Sequence, residues 1–140
     1  MNLLFGHDKA VADWASQQFG SPLRNWYFAI GLIDNEGLLR GAASFHDFNG
    51  SNIEICFYGP GAMTPSAVRG LMKFAFVELK ANRITARTPR QNKAVIRALP
   101  KFGFRCEGVA KRYFGATKRL DAIMFGLLKA DAQKHIERAA

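Results

Sequence analysis

The sequence has no apolar run of the length that a membrane-spanning helix requires, which is about 18 residues or more. Its opening, MNLLFGHDKA, has neither a basic segment nor a long hydrophobic core, so no export signal is expected. Cysteine is scarce as well: Cys56 and Cys106 lie far apart, with no Cys-x-x-Cys pairing. These absences favour a cytoplasmic protein without a membrane partner, in which both cysteines are buried thiols within strands.

Motifs for metals and for nucleotides are also missing. The three histidines, His7, His46 and His135, are scattered and neither cysteine neighbours one, so no metal site is expected. A P-loop would read GxxxxGK[ST] and a dinucleotide-binding turn would read GxGxxG, and the chain has neither. Neither of these nucleotide-binding folds is therefore supported.

Acidic residues are few in the second part of the chain, which makes that part strongly basic. The net charge is +9. Residues 1–59 contain three Lys or Arg and six Asp or Glu, whereas the remainder contains 17 and five. Such an excess favours an anionic partner, either nucleic acid or a phosphorylated cofactor. Between residues 83 and 119, eleven basic residues accompany one acid, Glu107, but they form no recognition motif, so nucleic acid is the less favoured of the two.

Apolar periodicity and turn residues predict one domain with a mixed sheet. The predicted helices are 7–19, 66–80 and 91–102, and the predicted strands are 25–33, 38–46, 51–59, 83–88, 104–114 and 121–129. The order α-β-β-β-α-β-α-β-β indicates an α/β (α+β) domain, with helices flanking a mixed central β-sheet, over residues 1–130. The polar tail, 131–140, is expected to be a short solvated helix or a frayed end.

The stretch GPGAMTPSAVRG, residues 59–70, marks the change from a strand to a helix. If the helix is a right-handed crossover, strands 51–59 and 83–88 are parallel, and this stretch follows the carboxyl end of a parallel strand. Thr64 is the expected N-cap and Pro65 the first helical residue. Free amides and the helix dipole at such an end bind anions. The alternative is an ordinary capped helix after a tight turn.

A later run, NKAVIRALPKFGFRCEGVAKRYF (residues 92–114), resembles the C-terminal half of a GNAT N-acetyltransferase. That family carries an Asn before a helix, then K-x-G-F and E-G, and these places hold Asn92, Lys101, Gly103, Phe104, Glu107 and Gly108. RITART (83–88) resembles the family's fifth strand, and DAIMFGLLKAD (121–131) its last. The branch to which the chain is most similar includes ribosomal-protein N-terminal acetyltransferases. The likeness extends over residues 51–130 in sequence pattern and over 1–50 in topology alone.

The resemblance implies an acetyl-CoA site in a V-shaped opening between two parallel strands. Backbone groups at the strand end are expected to hold the acetyl and pantetheine groups at Phe57, Tyr58 and Gly59. The family's pyrophosphate motif, [Q/R]-x-x-G-x-[G/A], aligns with the start of the next helix, so the expected pyrophosphate-binding residues are Met63, Thr64, Pro65, Ser66, Ala67, Val68 and Arg69. Asn92 is expected to contact the pantetheine arm or to cap its helix, and Arg97 to reach the adenosine 3′-phosphate or to lie on a solvated face.

The chain departs from the family pattern at several of these positions. Met63, Ser66 and Val68 stand where Gln or Arg, Gly, and Gly or Ala are expected. Backbone donors do not depend on side chains, but a β-branched Val68 is expected to crowd the pyrophosphate. Leu99 stands where many members have a tyrosine that acts as general acid. These departures favour, as the alternative, a GNAT-like binding module that has lost catalysis.

Direct attack of an amine on a thioester requires a base for the amine proton. Glu54 is the first candidate, directly or through water, and its alternative is a salt-bridged or solvent-facing glutamate. His46 is the second candidate, as a base, a substrate contact or a plain surface histidine, and Asp47 beside it would attract a cationic amine. Tyr113 is expected to be a packing residue in the predicted strand 104–114, which corresponds to the family's sixth strand. The resemblance thus implies an acetyl-CoA-dependent N-acetyltransferase for a small amine or a protein N-terminus, with a homodimer through edge strands left open.

Overall fold

A seven-stranded sheet forms the centre of the computed structural model, which describes residues 2–20 and 23–137. The strands are β1 (Asn2–Leu4), β2 (Trp26–Ile33), β3 (Leu39–His46), β4 (Asn52–Tyr58), β5 (Arg83–Pro89), β6 (Arg105–Ala110) and β7 (Ala122–Leu128). They lie in the order β1-β2-β3-β4-β5-β7-β6. Among these strands β4 and β5 are parallel, as the crossover predicted, and the other neighbouring pairs are antiparallel. The predicted α/β class with a mixed sheet is confirmed.

The helices lie close to their predicted positions but change type towards their ends. They are α1 (Asp8–Phe19), α2 (Pro65–Lys73), α3 (Lys93–Ala98) and α4 (Lys129–Glu137). α2 continues as a π-helical turn (Phe74–Glu78), and α3 as a 3₁₀ turn (Leu99–Phe102). Pro100 has no amide to continue the α-helical pattern, which explains why the last turn of α3 tightens. Gly103, at φ 95°, then ends the helix.

The two faces of the sheet carry different cores. On one face α2 packs over β4, and Leu71 and Ile55 belong to the same buried cluster. On the other face α1 packs over β2 and β3, where Ala15 and Ala42 belong to a second, smaller cluster. Successive residues of a strand point to opposite faces. The even-numbered residues of β4, which end with Tyr58 against the α1 cluster, therefore lie on the α1 face.

The structure differs from the sequence predictions at both edges of the sheet. β1 was not predicted, because its three residues are too few to show a period. The predicted strand 104–114 ends at Ala110. The backbone amide and the guanidinium of Arg112 both donate to Asp121, at 2.8 and 2.7 Å, and so draw the chain out of the strand. Tyr113 accordingly lies in the loop before β7, 52% exposed, and its predicted place in the sixth strand is wrong.

The two cysteines have different surroundings. Cys56 is half-buried on the α1 face of β4. Cys106 is exposed, so its predicted burial is wrong, and the reason is that β6 is an edge strand. The apolar sequence around Cys106 indicated a strand but not its position in the sheet.

The α4 helix packs against the domain. Ala132 is fully buried, and Ile136 contacts the main core cluster. The structure thus places residues 131–137 of the predicted tail in a packed helix, while residues 138–140 lie outside the described residues. Across the described chain, the helices are too short or too polar to cross a membrane.

Candidate functional site

The parallel strands β4 and β5 separate at their carboxyl ends. They pair over Asn52–Ile55 of β4 and 83–86 of β5, and the pairing ends there. Beyond that point β4 continues to pair with β3, up to Tyr58 opposite Ala42, while β5 continues to pair with β7. Because each strand follows a different neighbour, a V-shaped cleft opens between them.

A cavity of about 490 Å³ occupies this cleft. Residues 57–59 at the end of β4 line one side of it, and Gln91 and Asn92 beyond β5 line the other. A second cavity, of about 290 Å³, shares Phe57 and Asn92 with the first and reaches Met63. The cleft therefore leads from the strand ends towards the start of α2.

Gly59 makes the turn out of β4 with a backbone conformation that suits glycine. Its φ is 78°, and a Cβ atom there would come within 2.9 Å of the Trp14 ring and 3.1 Å of the Arg40 carbonyl oxygen. Both the dihedral angle and the lack of space therefore favour glycine at this corner of the cleft.

The amino end of α2 presents backbone amides that no side chain caps. Thr64 is the N-cap residue, as predicted, but its hydroxyl donates to a carbonyl of the preceding turn at 3.2 Å and makes no capping bond. Pro65 has no amide, and the amide of Val68 donates to the Thr64 carbonyl at 3.0 Å. The amides of Ser66 and Ala67 therefore remain for a ligand.

The side chains of this turn divide between the core and the surface. Ala67 and Val68 are each 1% exposed and face the core, so the predicted crowding by Val68 is wrong. Pro65 and Ser66 are exposed. Arg69 is half-buried, and its Nε atom is buried without a hydrogen-bond partner among the described residues. The position of each residue around the helix axis, and not its type, determines whether its side chain faces the core or the surface.

The two residues predicted on α3 differ in placement. Asn92 accepts a hydrogen bond from the Val95 amide at 3.4 Å, so its capping role is confirmed, and it also lines both cleft cavities. Arg97 is exposed on α3 and lines neither cavity. The structure thus brings Asn92, and not Arg97, to the cleft.

A third cavity, of about 220 Å³, lies on the α1 face next to the cleft, and we call it the side cavity. Tyr58 and Phe114 line both the side cavity and the larger cleft cavity, so the two adjoin. The polar and charged side chains of the side cavity that matter below are Arg24, His46, Asp47, Glu54, Tyr58 and Arg87. The two predicted catalytic residues thus lie together, since His46 stands directly opposite Glu54 in the β3–β4 register.

Glu54 is both salt-bridged and part of the side cavity. Its Oε1 accepts from Nη1 of Arg87, and both side chains are largely buried, at 16% and 23% exposure. Burial raises the pKa of Glu54 above its usual value, although the guanidinium of Arg87 acts in the opposite direction. Arg87 also lies 5.3 Å from the centre of the Tyr113 ring, and Tyr113 lines the side cavity as well.

A chain of hydrogen-bonding groups crosses from β4 to β3. Ser44 is 1% exposed, and its Oγ lies 3.1 Å from Tyr58 Oη and 2.6 Å from His46 Nε2. His46 Nδ1 lies 3.2 Å from the Asn25 carbonyl oxygen. Burial lowers the pKa of His46, more than the Asn25 carbonyl and Asp47 raise it. Burial also raises the pKa of Cys56 to about 11 and that of Tyr58 above its usual value, so both keep their protons at neutral pH.

Sequence reasoning missed Arg87 and Ser44. Arg87 appears beside Glu54 because β5 lies parallel to β4, and Ser44 appears beside His46 by alternation along β3. Alternation within each strand was a usable signal, but the pairing of the strands was also needed. Two rim residues of the side cavity, Asn25 and Asp47, have positive φ of 57° and 48°, which marks the tight turns that present them.

Within residues 2–20 and 23–137, no three His, Cys, Asp or Glu side chains cluster as metal ligands would. The described side chains of the cavities are instead suited to hydrogen bonding and ion pairing.

The sequence matches a family model described as "Acetyltransferase (GNAT) domain" over residues 6–105. A curated relative, the probable N-acetyltransferase YjcK of Bacillus subtilis (strain 168), is 37% identical over 83 residues. That match covers 59% of this chain and 45% of the relative, so the chain spans less than half of the relative's length.

Solved structures with the same fold include two acetyltransferases from Vibrio species. A mutant of the spermidine N-acetyltransferase SpeG from Vibrio cholerae superposes with a TM-score of 0.73 at 12% identity, covering 99% of this chain and 98% of that one. The ribosomal-protein-S5-alanine acetyltransferase from Vibrio fischeri superposes with a TM-score of 0.62 at 24% identity, covering 74% of this chain and 62% of that one. At these identities the likeness concerns the fold.

Proposed function

The chain belongs to the GNAT acetyltransferase family, and from that premise we propose that it transfers the acetyl group of acetyl-CoA to a primary amine. The observation that carries this proposal is the junction of two cavities at Tyr58. The cleft between β4 and β5 has room for the thioester arm. The side cavity next to it contains His46 and Glu54, which can accept a proton from an attacking amine. Holding two reactants together in this way can account for several orders of magnitude in rate.

The residues of the cleft fit a phosphorylated thioester. The amides of Ser66 and Ala67 at the start of α2 suit a pyrophosphate, because they add to the positive end of the helix dipole. Arg69, whose buried Nε has no described partner, adds a charge nearby. Asn92 lies at the opposite wall, where the pantetheine arm would pass. When bound, acetyl-CoA supplies an activated acyl carbon with a good leaving group.

The charges of the side cavity favour an acceptor that carries an anionic group as well as an amine. Glu54 is already paired with Arg87. Asp47 interacts with Glu54, whose pKa it raises, but it forms no ion pair with a described residue, and neither does the side chain of Arg24. One basic and one acidic side chain at the rim are therefore without an oppositely charged partner among the described residues. An amine near Asp47 and a carboxylate or phosphate near Arg24 would satisfy both. A polyamine such as the spermidine of the Vibrio enzyme would satisfy Asp47 alone.

An acetylation assay with three acceptors tests this choice. With acetyl-CoA, we expect turnover of alanyl-glutamate and of phosphoethanolamine, and little turnover of spermidine. The variant Arg24→Glu should lower kcat/KM for the two anionic acceptors by about 10-fold, which corresponds to one lost charge-assisted contact. The Kd for acetyl-CoA should not change. Preference of the wild type for spermidine would contradict the anionic acceptor while leaving the acetyl transfer intact.

Binding of the thioester itself is tested by thermal unfolding with acetyl-CoA, CoA or ATP at two salt concentrations. A ligand at a hundred times its Kd stabilises the fold by about 2.7 kcal/mol, which is readily seen as a higher Tm. We expect a shift with both CoA forms and none with ATP. The absence of a shift with either CoA form would contradict the proposed site.

A binding module without catalysis is the second candidate, and one observation favours it. Leu99, at the position where the resemblance expects a catalytic tyrosine, is fully buried and offers no proton donor. A Tm shift with acetyl-CoA but no acetylation of any acceptor would support this candidate. A shift with neither, together with salt-sensitive binding of an oligonucleotide, would instead favour a nucleic-acid-binding domain.

A further inference from the structure

A tyrosine reaches the cleft from a different element than the resemblance predicts. The position at which the resemblance expects a catalytic tyrosine holds Leu99, which is buried in the core and has no hydroxyl. Tyr58, at the end of β4, lines both the cleft and the side cavity. A phenol at the junction of the two cavities can contact both the attacking amine and the departing sulfur.

We propose that Tyr58, Ser44 and His46 form a proton relay that holds the proton of the acceptor amine during acetyl transfer and returns it to the sulfur. This inference rests on the proposed function, because a relay has a task only if the acetyl group is transferred. Tyr58 is the catalytic residue, and Ser44 and His46 act through it.

The register of the sheet sets the order of the three groups. His46 stands opposite Glu54, Ser44 opposite Cys56, and Ala42 opposite Tyr58. Ser44 is therefore the residue of β3 that lies between the level of His46 and the level of Tyr58. Its hydroxyl is within hydrogen-bond distance of both, at 2.6 and 3.1 Å, and burial protects it from water.

The hydrogen bonds define one direction for the relay. A backbone carbonyl can only accept, so Nδ1 of a neutral His46 donates to the Asn25 oxygen, and Nε2 is left as the acceptor. Ser44 Oγ then donates to Nε2 and accepts from Tyr58 Oη. Ser44 thus has one donor and one acceptor role in the relay, while the hydroxyl of Tyr58 also interacts with the thiol of Cys56. The arrangement is thus ready to move positive charge from the cleft to His46.

The proton balance closes over one cycle. As the amine nitrogen forms its bond to the acetyl carbon, its proton passes to Tyr58 Oη. The phenol's own proton moves to Ser44 Oγ, and the serine proton moves to His46 Nε2. As the C–S bond breaks, the three transfers run in reverse, and Tyr58 donates a proton to the sulfur. The amine N–H has then become a thiol S–H, with no net gain or loss.

Glu54 suits a supporting role in this scheme. Its carboxylate is held by the guanidinium of Arg87, so taking up the amine proton would break that ion pair, although burial raises the pKa of Glu54 above its usual value. The ionisable groups around His46 are Asp47 next to it, Glu54 across from it on β4, and Arg24 and Arg87 at the walls of the same cavity. With these charges nearly balanced, burial leaves His46 neutral at pH 7 and able to accept a proton.

Steady-state kinetics with acetyl-CoA and alanyl-glutamate test the relay through matched variants. Tyr58→Phe and Ser44→Ala should each lower kcat by about 100-fold or more, the usual contribution of general acid–base catalysis, with little change in KM. Ser44→Thr keeps a hydroxyl and should recover most of the activity. Tyr27→Phe, at an exposed tyrosine outside these cavities, is the control and should stay within about twofold of the wild type. A kcat of Ser44→Ala within threefold of the wild type would overturn the relay and leave the acetyl transfer standing.

The pH profile gives a readout that a purely structural role would not change. His46 takes a proton only when neutral, so kcat should rise with pH through the lowered pKa of His46 and then level off. In His46→Gln this limb should disappear. The limb that reports the acceptor amine in kcat/KM should remain in every variant. Persistence of the low-pH limb in His46→Gln would contradict the proposal.

Nuclear magnetic resonance of the imidazole nitrogens tests the tautomer of His46 that the relay requires, independently of acetyl transfer. With ¹⁵N-labelled protein, we expect the proton of neutral His46 on Nδ1, and His46→Gln assigns the signal among the three histidines. An Nε2–H tautomer would overturn the relay whatever the activity. The expected tautomer together with a wild type that binds acetyl-CoA but transfers no acetyl group would instead contradict the proposed function, and with it the relay's task.

Discussion

The two sides of Tyr58 are built from different parts of the chain. On the α2 side, the candidate phosphate-binding groups are backbone amides of Ser66 and Ala67 and a glycine turn at Gly59. On the β3 side, the candidate acceptor groups are side chains, with His46 and Glu54 among them. A backbone site tolerates changes of side chain that a side-chain site does not. If α2 holds the pyrophosphate as proposed, the departures from the family's motif at Met63, Ser66 and Val68 matter less, because the proposed donors are backbone amides.

The largest effect that we expect is a loss of stability when a methyl group is added at Gly59, on the α2 side of Tyr58. In Gly59→Ala the residue must hold a φ of 78°, and its Cβ would meet the Trp14 ring at 2.9 Å. We expect a loss of about 2–4 kcal/mol in the free energy of unfolding. Gly37→Ala is the matched control, because its φ of 82° is similar but no atom lies within 4 Å of the added carbon.

The control should lose only about 1 kcal/mol, which is the dihedral cost alone. Urea unfolding of both variants measures the difference. Equal losses in the two variants would mean that the packing of Gly59 against Trp14 does not shape the cleft.

A smaller loss of stability is expected from breaking the Arg87–Glu54 ion pair on the β3 side of Tyr58. Arg87→Met leaves Glu54 half-buried without its partner, and we expect about 1–2 kcal/mol of destabilisation after allowing for its partial exposure. The loss should be greater at pH 8 than at pH 4, because the unpaired carboxylate is charged at the higher pH. Arg83→Met is the control, since Arg83 pairs with the more exposed Glu107 on the same face and should cost less.

Urea unfolding at the two pH values tests this prediction. A pH-independent loss in Arg87→Met would show that the packing of the arginine stem, and not its charge, supports the site.

The smallest effect tests whether the amides of α2 hold the cofactor. Ser66→Pro removes one amide from the first turn, where proline is tolerated, and should raise the Kd for acetyl-CoA by about 10-fold, or 1.4 kcal/mol. Ser66→Ala keeps the amide and removes only the hydroxyl, so its Kd should stay within about twofold. Calorimetric titration measures both. A stronger effect of Ser66→Ala than of Ser66→Pro would assign the role to the side chain.

Much of the fold could be predicted from local patterns. The apolar alternation of β4 and the Thr64-Pro65 start of α2 are both short-range signals, and the structure agrees with each. β1 has no such signal, because its three residues are too few to show a period. The exposure of Cys106 was not predictable either, since strand patterns do not tell an edge strand from a central one.

For the candidate site, the sequence indicated the segments that form the cleft but not the direction in which each side chain points. Val68 stands where the family pattern has Gly or Ala, but its side chain faces the core and not the surface of the helix. Arg97 looked suitable and lies on the exposed side of α3. Rotation around a helix axis decides such cases, and it depends on which face the core occupies.

By itself, the sequence determined the order of the elements from α1 to β7, the parallel crossover and the start of α2, because these depend on residues near each other in the chain. Only the tertiary structure decided that Arg87 pairs with Glu54 and that Ser44 lies between His46 and Tyr58. Those contacts join different strands, and their existence depends on strand order and register. Register is set by the packing of the whole sheet, and no short stretch of sequence contains it.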